Sequence, residues 1–408
     1  MLKVMSKVST DQKKIDWLLS HAVENVYPNR EAVKERLLSG KQMTVYYGID
    51  PTGPTLHLGH LITMRKLAEL QQLGHKVILL IGDFTAMIGD PTDKAATRKQ
   101  LTHDQVLDNC KLYKQQAEKV LNFTGANPVE IRFNSEWLAK MSFKDVVELA
   151  SHFTVQQMSE RDMFANRIKD GKPVHLHEFL YPLMQGFDSV AMDVDGEIGG
   201  NDQTFNMLAG RTLQRELKNK EKFVITNALL TDPSGKKMGK TEGNMIAMTD
   251  TAEDMYGKLM SWPDEMIIPA FKLCTDLSEE EIKSKEQAMS DGENPMSHKK
   301  ELAQKIVAWL AGGEAAQHAA EQFASVHQKG EKPDQIETIA LGKTEATLVD
   351  VLVESGLCSS KSDARRQIEQ KGIRVNDEII DDVKASITFS DTPVLIQKGK
   401  RHFVNLTV

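Results

Sequence analysis

Two histidines and a glycine, in the order His57-Leu58-Gly59-His60, follow a loop of Asp50, Pro51, Thr52, Gly53, Pro54 and Thr55. That loop can extend neither a strand nor a helix, so the tetrapeptide falls at or near a helix N-terminus. Free backbone N–H groups and the helix dipole favour an anion there. His57 and His60 can donate to a phosphate, and Gly59, with no Cβ, lets a flat base lie against the backbone. The chemistry implied is ATP binding. With 12 histidines and 26 glycines in 408 residues, one such tetrapeptide is a weak signal that needs a second motif.

Lys236-Lys237-Met238-Gly239-Lys240-Thr241, after the polar turn Asp232-Pro233-Ser234-Gly235, is that second motif. Alone it reads as a solvated basic turn. Tyr181, Gln185 and Asp188 stand at i, i+4 and i+7 and so share one helix face beside Leu180, Leu183 and Met184. Gly200 and Asp202 lie where a strand enters a helix, a position from which a carboxylate can hold ribose hydroxyls. Asn201 or Asp202 is the expected cap of that helix. His175 and His177 have strand-like spacing but no cysteine or carboxylate to complete a ligand set, so they are read as structural and no metal site is expected.

In this order, and flanking an alternating strand-helix pattern, the two motifs resemble the signature pair of class I aminoacyl-tRNA synthetases. Gly239 and Thr241 stand where Lys-Met-Ser-Lys-Ser is usual, Leu58 varies the first signature, and Thr204 follows Asp202-Gln203 where many relatives carry an aromatic. The chain is most similar to the tyrosyl family, from about residue 46 to the C-terminus. Tyr181-Pro182-Leu183-Met184-Gln185-Gly186-Phe187-Asp188 is the most specific stretch. The resemblance implies activation of L-tyrosine by ATP and transfer to a tyrosine-accepting tRNA. Mg²⁺ is implied only as the companion of ATP, because the chain has no dedicated cage of oxygen ligands.

Carried onto this sequence, the resemblance gives Thr52, His57 and His60 to the phosphates from one side. Lys237, Lys240 and Thr241 serve them from the other, with Lys94 and Arg98 on pyrophosphate. The last two read equally well as a solvated helix start. Gly59, Gly200 and Asp202 would line the nucleoside site, with Asp50 between nucleoside and α-amino group. Asp90, Tyr181, Gln185 and Thr85 would meet the ammonium, and Gln203 the carboxylate. Tyr46 and Asp188 would meet the phenol. A buried partner for that hydroxyl penalises phenylalanine, and tyrosyl enzymes are themselves the reference case for this kind of selection.

The elements that must position these residues follow from the pattern. Met43 to Ile49 reads as a strand, Leu58 to Leu73 as a helix, and Lys76 to Ile81 as a strand buried on both faces. A helix from His103 to Leu121, a strand from Val129 to Phe133 and helices from Ser142 to Lys169 continue an α/β alternation. The fold class expected is α/β: a Rossmann-like parallel-sheet catalytic domain over 1–248, an α-helical domain over 249–328, a linker over 329–343 and a small α+β RNA-binding domain over 344–408. Residues 10 to 40 read as helical, with Ile15, Leu18, Leu19 and Val23 on one face. Leu302, Ile306, Trp309 and Leu310 form a further stripe, begun by Asn294-Pro295 and ended by Gly312-Gly313.

Residues 136 to 171 carry Phe143, Val146, Val147, Leu149, Phe153 and Met158. They form either a cover for the sheet or, as the resemblance implies, a homodimer contact. The C-terminal unit resembles the RNA-binding domain shared by a small-subunit ribosomal protein and pseudouridine synthases, through residues 360–368 and 372–376. It implies RNA-binding roles for Lys361, Arg365, Arg366 and Arg374. Residues 344–408 hold nine Lys/Arg against ten Asp/Glu, so pattern and not charge carries this reading.

The net charge of −7 excludes a generally basic nucleic-acid coat. Cys110, Cys274 and Cys358 are too scattered for a disulfide framework or zinc site, which fits a reducing cytoplasm. The charged N-terminus lacks an apolar signal core, and no run reaches the ~20 apolar residues of a membrane span. Three other readings compete: a tryptophanyl enzyme, a small adenylyl- or nucleotidyltransferase, and an RNA-binding paralogue without catalysis.

Overall fold

The computed structural model describes residues 8–90, 101–235, 245–325, 336, 338–358, 360–390, 392–399 and 402–408. It divides into two compact units, Met1–Thr251 with Lys258–Ile306, and Ala252–Gly257 with Val307–Val408. The helical stretch expected as a domain of its own is thus shared between them.

The first unit opens with α1 (Gln12–Ser20), β1 (Val23–Tyr27) and α2 (Arg30–Leu38). The single amphipathic helix expected over 10–40 is therefore interrupted. Ile15, Leu18 and Leu19 are buried on α1, but Ala22 takes a positive φ of 54° and ends the helical run. Val23 then pairs with Asn227 on the sheet instead of extending the helix face.

Next come β2 (Thr44–Ile49), α3 (Leu58–Gln72), β3 (Lys76–Ile81), α4 (Thr85–Ile88), α5 (His103–Cys110), α6 (Tyr113–Ala117) and β4 (Glu130–Phe133). The expected helix from His103 to Leu121 is two short helices. Short helices α7 (Ser135–Leu138), α8 (Phe143–Ala150), α9 (Val155–Ser159) and α10 (Asp162–Lys169) lead to the long α11 (Leu176–Ala191). The core closes with β5 (Gly196–Gly200), a 3₁₀ turn over Asn201–Gln203, α12 (Thr204–Lys218) and β6 (Phe223–Asn227).

The six strands form one sheet in the order β1-β6-β5-β2-β3-β4. All neighbours are parallel except the edge pair β1 and β6. The chain leaves β2 toward β3 and β4 and returns on its other side as β5 and β6, so the winding reverses between β2 and β5. In parallel sheets of this kind ligands sit outside the strand ends at such a reversal. Strands β3, β5 and β6 have no clean alternation because helices cover both faces, and Val77 through Ile81 are all buried.

Helices α13 (Ala252–Met260), α14 (Ile267–Cys274), α15 (Glu279–Ser290), α16 (Pro295–Ala311) and α17 (Gly313–Ala324) follow. In the second unit, β7 (Thr338–Ala340) and β8 (Glu345–Thr347) precede α18 (Leu348–Glu354) and α19 (Lys361–Glu369). They are followed by β9 (Ile373–Val375), β10 (Glu378–Ile379), β11 (Ser386–Thr388), β12 (Val394–Lys398) and β13 (His402–Thr407). The terminal hairpin pairs β12 with β13, as its sequence suggests. Thr338–Ala340, expected within a linker, instead pairs in parallel with β13. Leu348, Val351, Leu352, Ile368, Ile373, Ile396 and Leu406 fill this unit's own core.

Ile198 lies at the middle of β5 with 1 % of its surface exposed, between helices on both faces. Ile198→Ala removes buried volume that rigid neighbouring strands cannot refill, so a loss of roughly 2–5 kcal/mol in chemical denaturation is expected. A loss below ~1 kcal/mol would contradict close packing at the centre of this sheet.

Candidate active site

Strand β2 ends in Asp50, β3 in Gly82 and Asp83 ahead of α4, β4 in Asn134 ahead of α7, and β5 in the turn carrying Asp202 and Gln203. The carboxyl edge of the parallel strands thus gathers the candidate residues from five separate parts of the sequence. Helix α11 crosses this edge and brings Tyr181, Gln185 and Asp188.

A directed chain of hydrogen bonds joins them. Tyr181 Oη donates to Asp50 Oδ2 at 2.8 Å, and Thr85 Oγ1 donates to Asp50 Oδ1 at 2.7 Å. Asn134 Nδ2 donates to Thr85 Oγ1 at 2.9 Å and to Asp188 Oδ2 at 3.3 Å. Trp137 Nε1 completes Asp188, donating to Oδ1 at 2.7 Å. Asn134 is itself oriented by the Phe84 N–H, which donates to its Oδ1 at 2.9 Å. Gly82 is required in this arrangement, because a Cβ there would lie 2.0 Å from Asp50 Oδ1.

The electrostatics follow from removing carboxylates from water. Burial pushes Asp50 up from 3.8 to about 7, against the lowering effect of its bonds from Thr85 and Tyr181. Burial also holds Asp188 well above the usual carboxylate range, with Trp137 and Asn134 opposing the shift. Tyr181 is raised by burial and by Asp50 and Asp90 nearby. Gln203 Nε2 donates to Asp90 Oδ2 at 2.6 Å. Buried Arg161 lies over the Phe205 ring at 4.5 Å, and its pKa is lowered by burial while Asp90 and Tyr181 raise it.

Tyr46 is fully buried, and its Oη is 3.0 Å from Ser189 Oγ while Ile78, Leu80 and Val194 surround it. Ser189 is thus a bonding partner, and the hydroxyl's pKa is raised by burial, then by the charge of Glu197 and then by that of Asp188. Asn201 and Asp202 lie in the 3₁₀ turn, and Gln203 occupies the cap position of α12, contrary to the expected cap. Asn201 Oδ1 instead accepts from Asn25 and Thr226, tying β1 and β6 to this turn.

The His57-Leu58-Gly59-His60 stretch opens helix α3. His57 is the N-cap of α3, its N–H donates to His60 Nδ1 at 3.2 Å, and the two rings lie 3.8 Å apart. Thr52 is exposed in the preceding loop, and Gly59 occupies the first turn of α3. That loop is held by side chains of α5 and α6. Asn109 donates to Pro51 O, Tyr113 to Gly53 O and Gln116 to Pro54 O, at 2.8, 2.6 and 3.0 Å. Leu56 N–H donates to Gln116 Oε1 at 2.7 Å.

Leu58 N–H donates to Ile246 O, and Met248 N–H to Leu56 O, so the first motif is bridged to residues just after the second. Lys94, Arg98, Lys237, Gly239, Lys240 and Thr241 lie outside the described residues.

His175 is the N-cap of α11, where its N–H donates to Glu178 Oε1 at 2.8 Å. Among the described residues no group of three or more His, Cys, Asp or Glu is placed to hold a metal ion. In the C-terminal unit Lys361 pairs with Asp350 at 2.7 Å and Arg366 with Asp363 at 2.5 Å. Arg374 donates to Asp377 O at 2.8 Å, and Arg365 is exposed on α19.

Asn134, Trp137, Arg161 and the loop-holding Asn109, Tyr113 and Gln116 are absent from the sequence-derived set. Only the position of Asn134 at the end of a strand could have pointed to one of them.

Residues 38–328 match the family described as tRNA synthetases class I (W and Y). Residues 328–406 match the tyrosine–tRNA ligase SYY-like C-terminal domain. Tyrosine–tRNA ligase of Thermotoga maritima is 43 % identical over 400 residues, 98 % of each chain. That of Idiomarina loihiensis is 43 % identical over 394 residues, 95 % of this chain and 97 % of the relative. A C-terminally truncated mitochondrial tyrosyl-tRNA synthetase from Coccidioides posadasii shares the fold with a TM-score of 0.60 at 24 % identity, over 76 % of this chain and 90 % of that one. The Archaeoglobus fulgidus tyrosyl-tRNA synthetase complexed with L-tyrosine has a TM-score of 0.60 at 19 % identity, over 76 % and 100 %.

Asp50 binds its proton more tightly folded than unfolded, so it adds stability below about pH 4 that is lost as the pH rises through 7. Asp50→Asn is neutral throughout. Its thermal midpoint relative to the parent is expected to rise between pH 5 and pH 8, as followed by calorimetry. A difference that stays flat or shrinks over that interval would contradict the raised carboxyl.

Proposed function

We propose, for a chain that belongs to the class I tRNA synthetases and among them to the tyrosine–tRNA ligases, that it activates L-tyrosine with ATP and then charges its tRNA. The observation that carries the reading is the hydrogen-bonded chain from Tyr181 through Asp50, Thr85 and Asn134 to Asp188. It is an acidic, largely desolvated cleft edge suited to an ammonium at one end and a phenol at the other.

In this reading a carboxylate oxygen of tyrosine attacks the α-phosphorus of ATP. The bond to the oxygen bridging the α- and β-phosphates breaks, and pyrophosphate leaves with its electron pair. A ribose hydroxyl of the tRNA's terminal adenosine then attacks the acyl carbon and loses its proton, and AMP departs. No protein nucleophile takes part, so the protein contributes position and charge.

Asp90, Tyr181, Gln185 and Thr85 hold the ammonium, Gln203 the carboxylate, and Tyr46 and Asp188 the phenol. Asp50 lies between ammonium and nucleoside. Gly59, Gly200 and Asp202 receive the nucleoside. Thr52, His57 and His60 meet the phosphates, with Lys94, Arg98, Lys237, Lys240 and Thr241 completing their charge. Mg²⁺ arrives with ATP as part of the substrate. Lys361, Arg365, Arg366 and Arg374 contact tRNA phosphate, and the reaction takes place in the cytoplasm. No helix among the described residues is long and apolar enough to cross a membrane.

A second copy of the chain is the proposed partner of the face carried by α8 to α11. Leu149 and Met158 turn inward, while Phe143 is 84 % exposed and Val147, Val155, Ile168 and Leu176 are exposed beside it. One side of the segment packs inward, and the exposed apolar residues of the other support the proposal of a partner there.

Amino-acid-dependent ATP–pyrophosphate exchange, run with tyrosine, phenylalanine, tryptophan or no amino acid, tests the activity. Exchange with tyrosine alone is expected. A tryptophan response reassigns the pocket, exchange without amino acid favours a nucleotidyltransferase, and no exchange favours a tRNA-binding protein without catalysis. Light scattering tests the assembly. The parent is expected at twice the chain mass and Phe143→Glu at once, and a monomeric parent sinks the dimer.

A further inference from the structure

Behind the tyrosine site lies an ion pair that the reaction described above does not use. Lys222, at the start of β6, is completely buried, and Glu197 on β5 is 2 % exposed. Lys222 Nζ donates to Glu197 Oε2 and, at 2.8 Å, to Ser189 Oγ. Glu197 Oε1 accepts from Gln185 Nε2 at 3.2 Å, and Ser189 Oγ is 3.0 Å from Tyr46 Oη. The ammonium also lies 5.8 Å from the centre of the Tyr46 ring. Gly210 on α12 leaves the room it needs, since a Cβ there would approach Lys222 Nζ to 2.6 Å and Ser189 Oγ to 2.7 Å.

We propose that Lys222 is a positioning residue for tyrosine binding, acting through Glu197 on the amide of Gln185 and through Ser189 on the hydroxyl of Tyr46. The inference rests on the tyrosine-activating reading, in which Gln185 meets the ammonium and Tyr46 the phenol.

The argument is one of hydrogen-bond polarity. An ammonium only donates and an ionised carboxylate only accepts, whereas a side-chain amide can present either end. Lys222 keeps Glu197 an acceptor. At Oε1, Glu197 then takes the NH₂ of Gln185 and not its carbonyl, which turns the Gln185 carbonyl away from it. In the bound state that carbonyl is the end an ammonium needs. Without Lys222, the buried Glu197 would lose the donor at Oε2 that orients it, and the direction of the amide would no longer be fixed. Burial lowers the pKa of Lys222 while Glu197 and Asp188 raise it, so the charge of the pair depends on the carboxylates around it.

Glu197→Gln preserves shape and reverses this polarity. Lys222 takes the new amide's oxygen, its NH₂ faces Gln185, and the Gln185 carbonyl must turn inward. The expected result in tyrosine-dependent exchange is a tyrosine KM raised about tenfold or more, with kcat and the ATP KM within about twofold. Adding Lys222→Met frees the amide at position 197 to turn its oxygen back to Gln185. The double variant should therefore recover at least about threefold in tyrosine KM over Glu197→Gln alone.

A purely structural pair would not give that recovery, and thermal melts of both variants separate stability from KM. A tyrosine KM within twofold of the parent in Glu197→Gln overturns the proposal, as does a double variant no better than the single one. If the parent gives no tyrosine-dependent exchange, the reading beneath fails, and this proposal with it.

Discussion

The structure depends on how carboxylates are kept at the carboxyl edge of a parallel sheet with little water to stabilise them. Asp50, Asp90 and Asp188 gather there from three parts of the chain, and Glu197 lies near the amino end of β5, paired in register with Tyr46 of β2. Each is answered differently: Asp50 by two hydroxyls and a raised pKa, Asp90 by an amide, Asp188 by an amide and an indole, and Glu197 by a buried ammonium. A carboxylate stripped of water without such partners costs several kcal/mol, so the partners are as necessary to the fold as to the site. Gly82 and Gly210 belong to the same constraint, because side chains there would occupy the space of the polar groups.

Some of this was legible in the sequence. Lys76–Ile81 is a run too short and too uniformly apolar for a helix, and it forms β3, between β2 and β4. The loop between β2 and α3 has the punctuation that delivers His57 to an N-cap. Local composition sufficed in both cases because each element is specified by its own residues. Val23–Tyr27 and Phe223–Asn227 were not legible, since their strand state depends on each other across two hundred residues. The continuation of helical periodicity to Val23 misleads because Ala22 breaks the helix through a backbone angle that its side chain does not announce.

The candidate site divides along the same line. Tyr181, Gln185 and Asp188 could be found because helical spacing aligns three polar groups on an apolar helix. Asn134 and Trp137, which orient Asp188, stand alone in their segment with no periodic signal. Asn109, Tyr113 and Gln116 look like ordinary helix residues, and their task of holding three loop carbonyls exists only in three dimensions. A motif names the groups that would meet a ligand. It leaves out the groups that decide which way they point.

The charge balance of the site bears on what it can receive. Glu197 is offset by Lys222, while burial holds Asp188 above the ordinary carboxylate range and pushes Asp50 up to about 7. A ligand ammonium placed near Asp50 would favour its ionised form, lowering the pKa that burial has raised. Binding such a cation would therefore favour release of the Asp50 proton. A neutral or anionic ligand gains nothing from that exchange. The cost of desolvating Asp50 is thereby turned into a preference for a cationic group at one end of the cleft. The motif around His57 and His60, at a helix N-terminus, offers the opposite preference some residues away. An amino acid and a nucleotide triphosphate are a pair of ligands that would satisfy both.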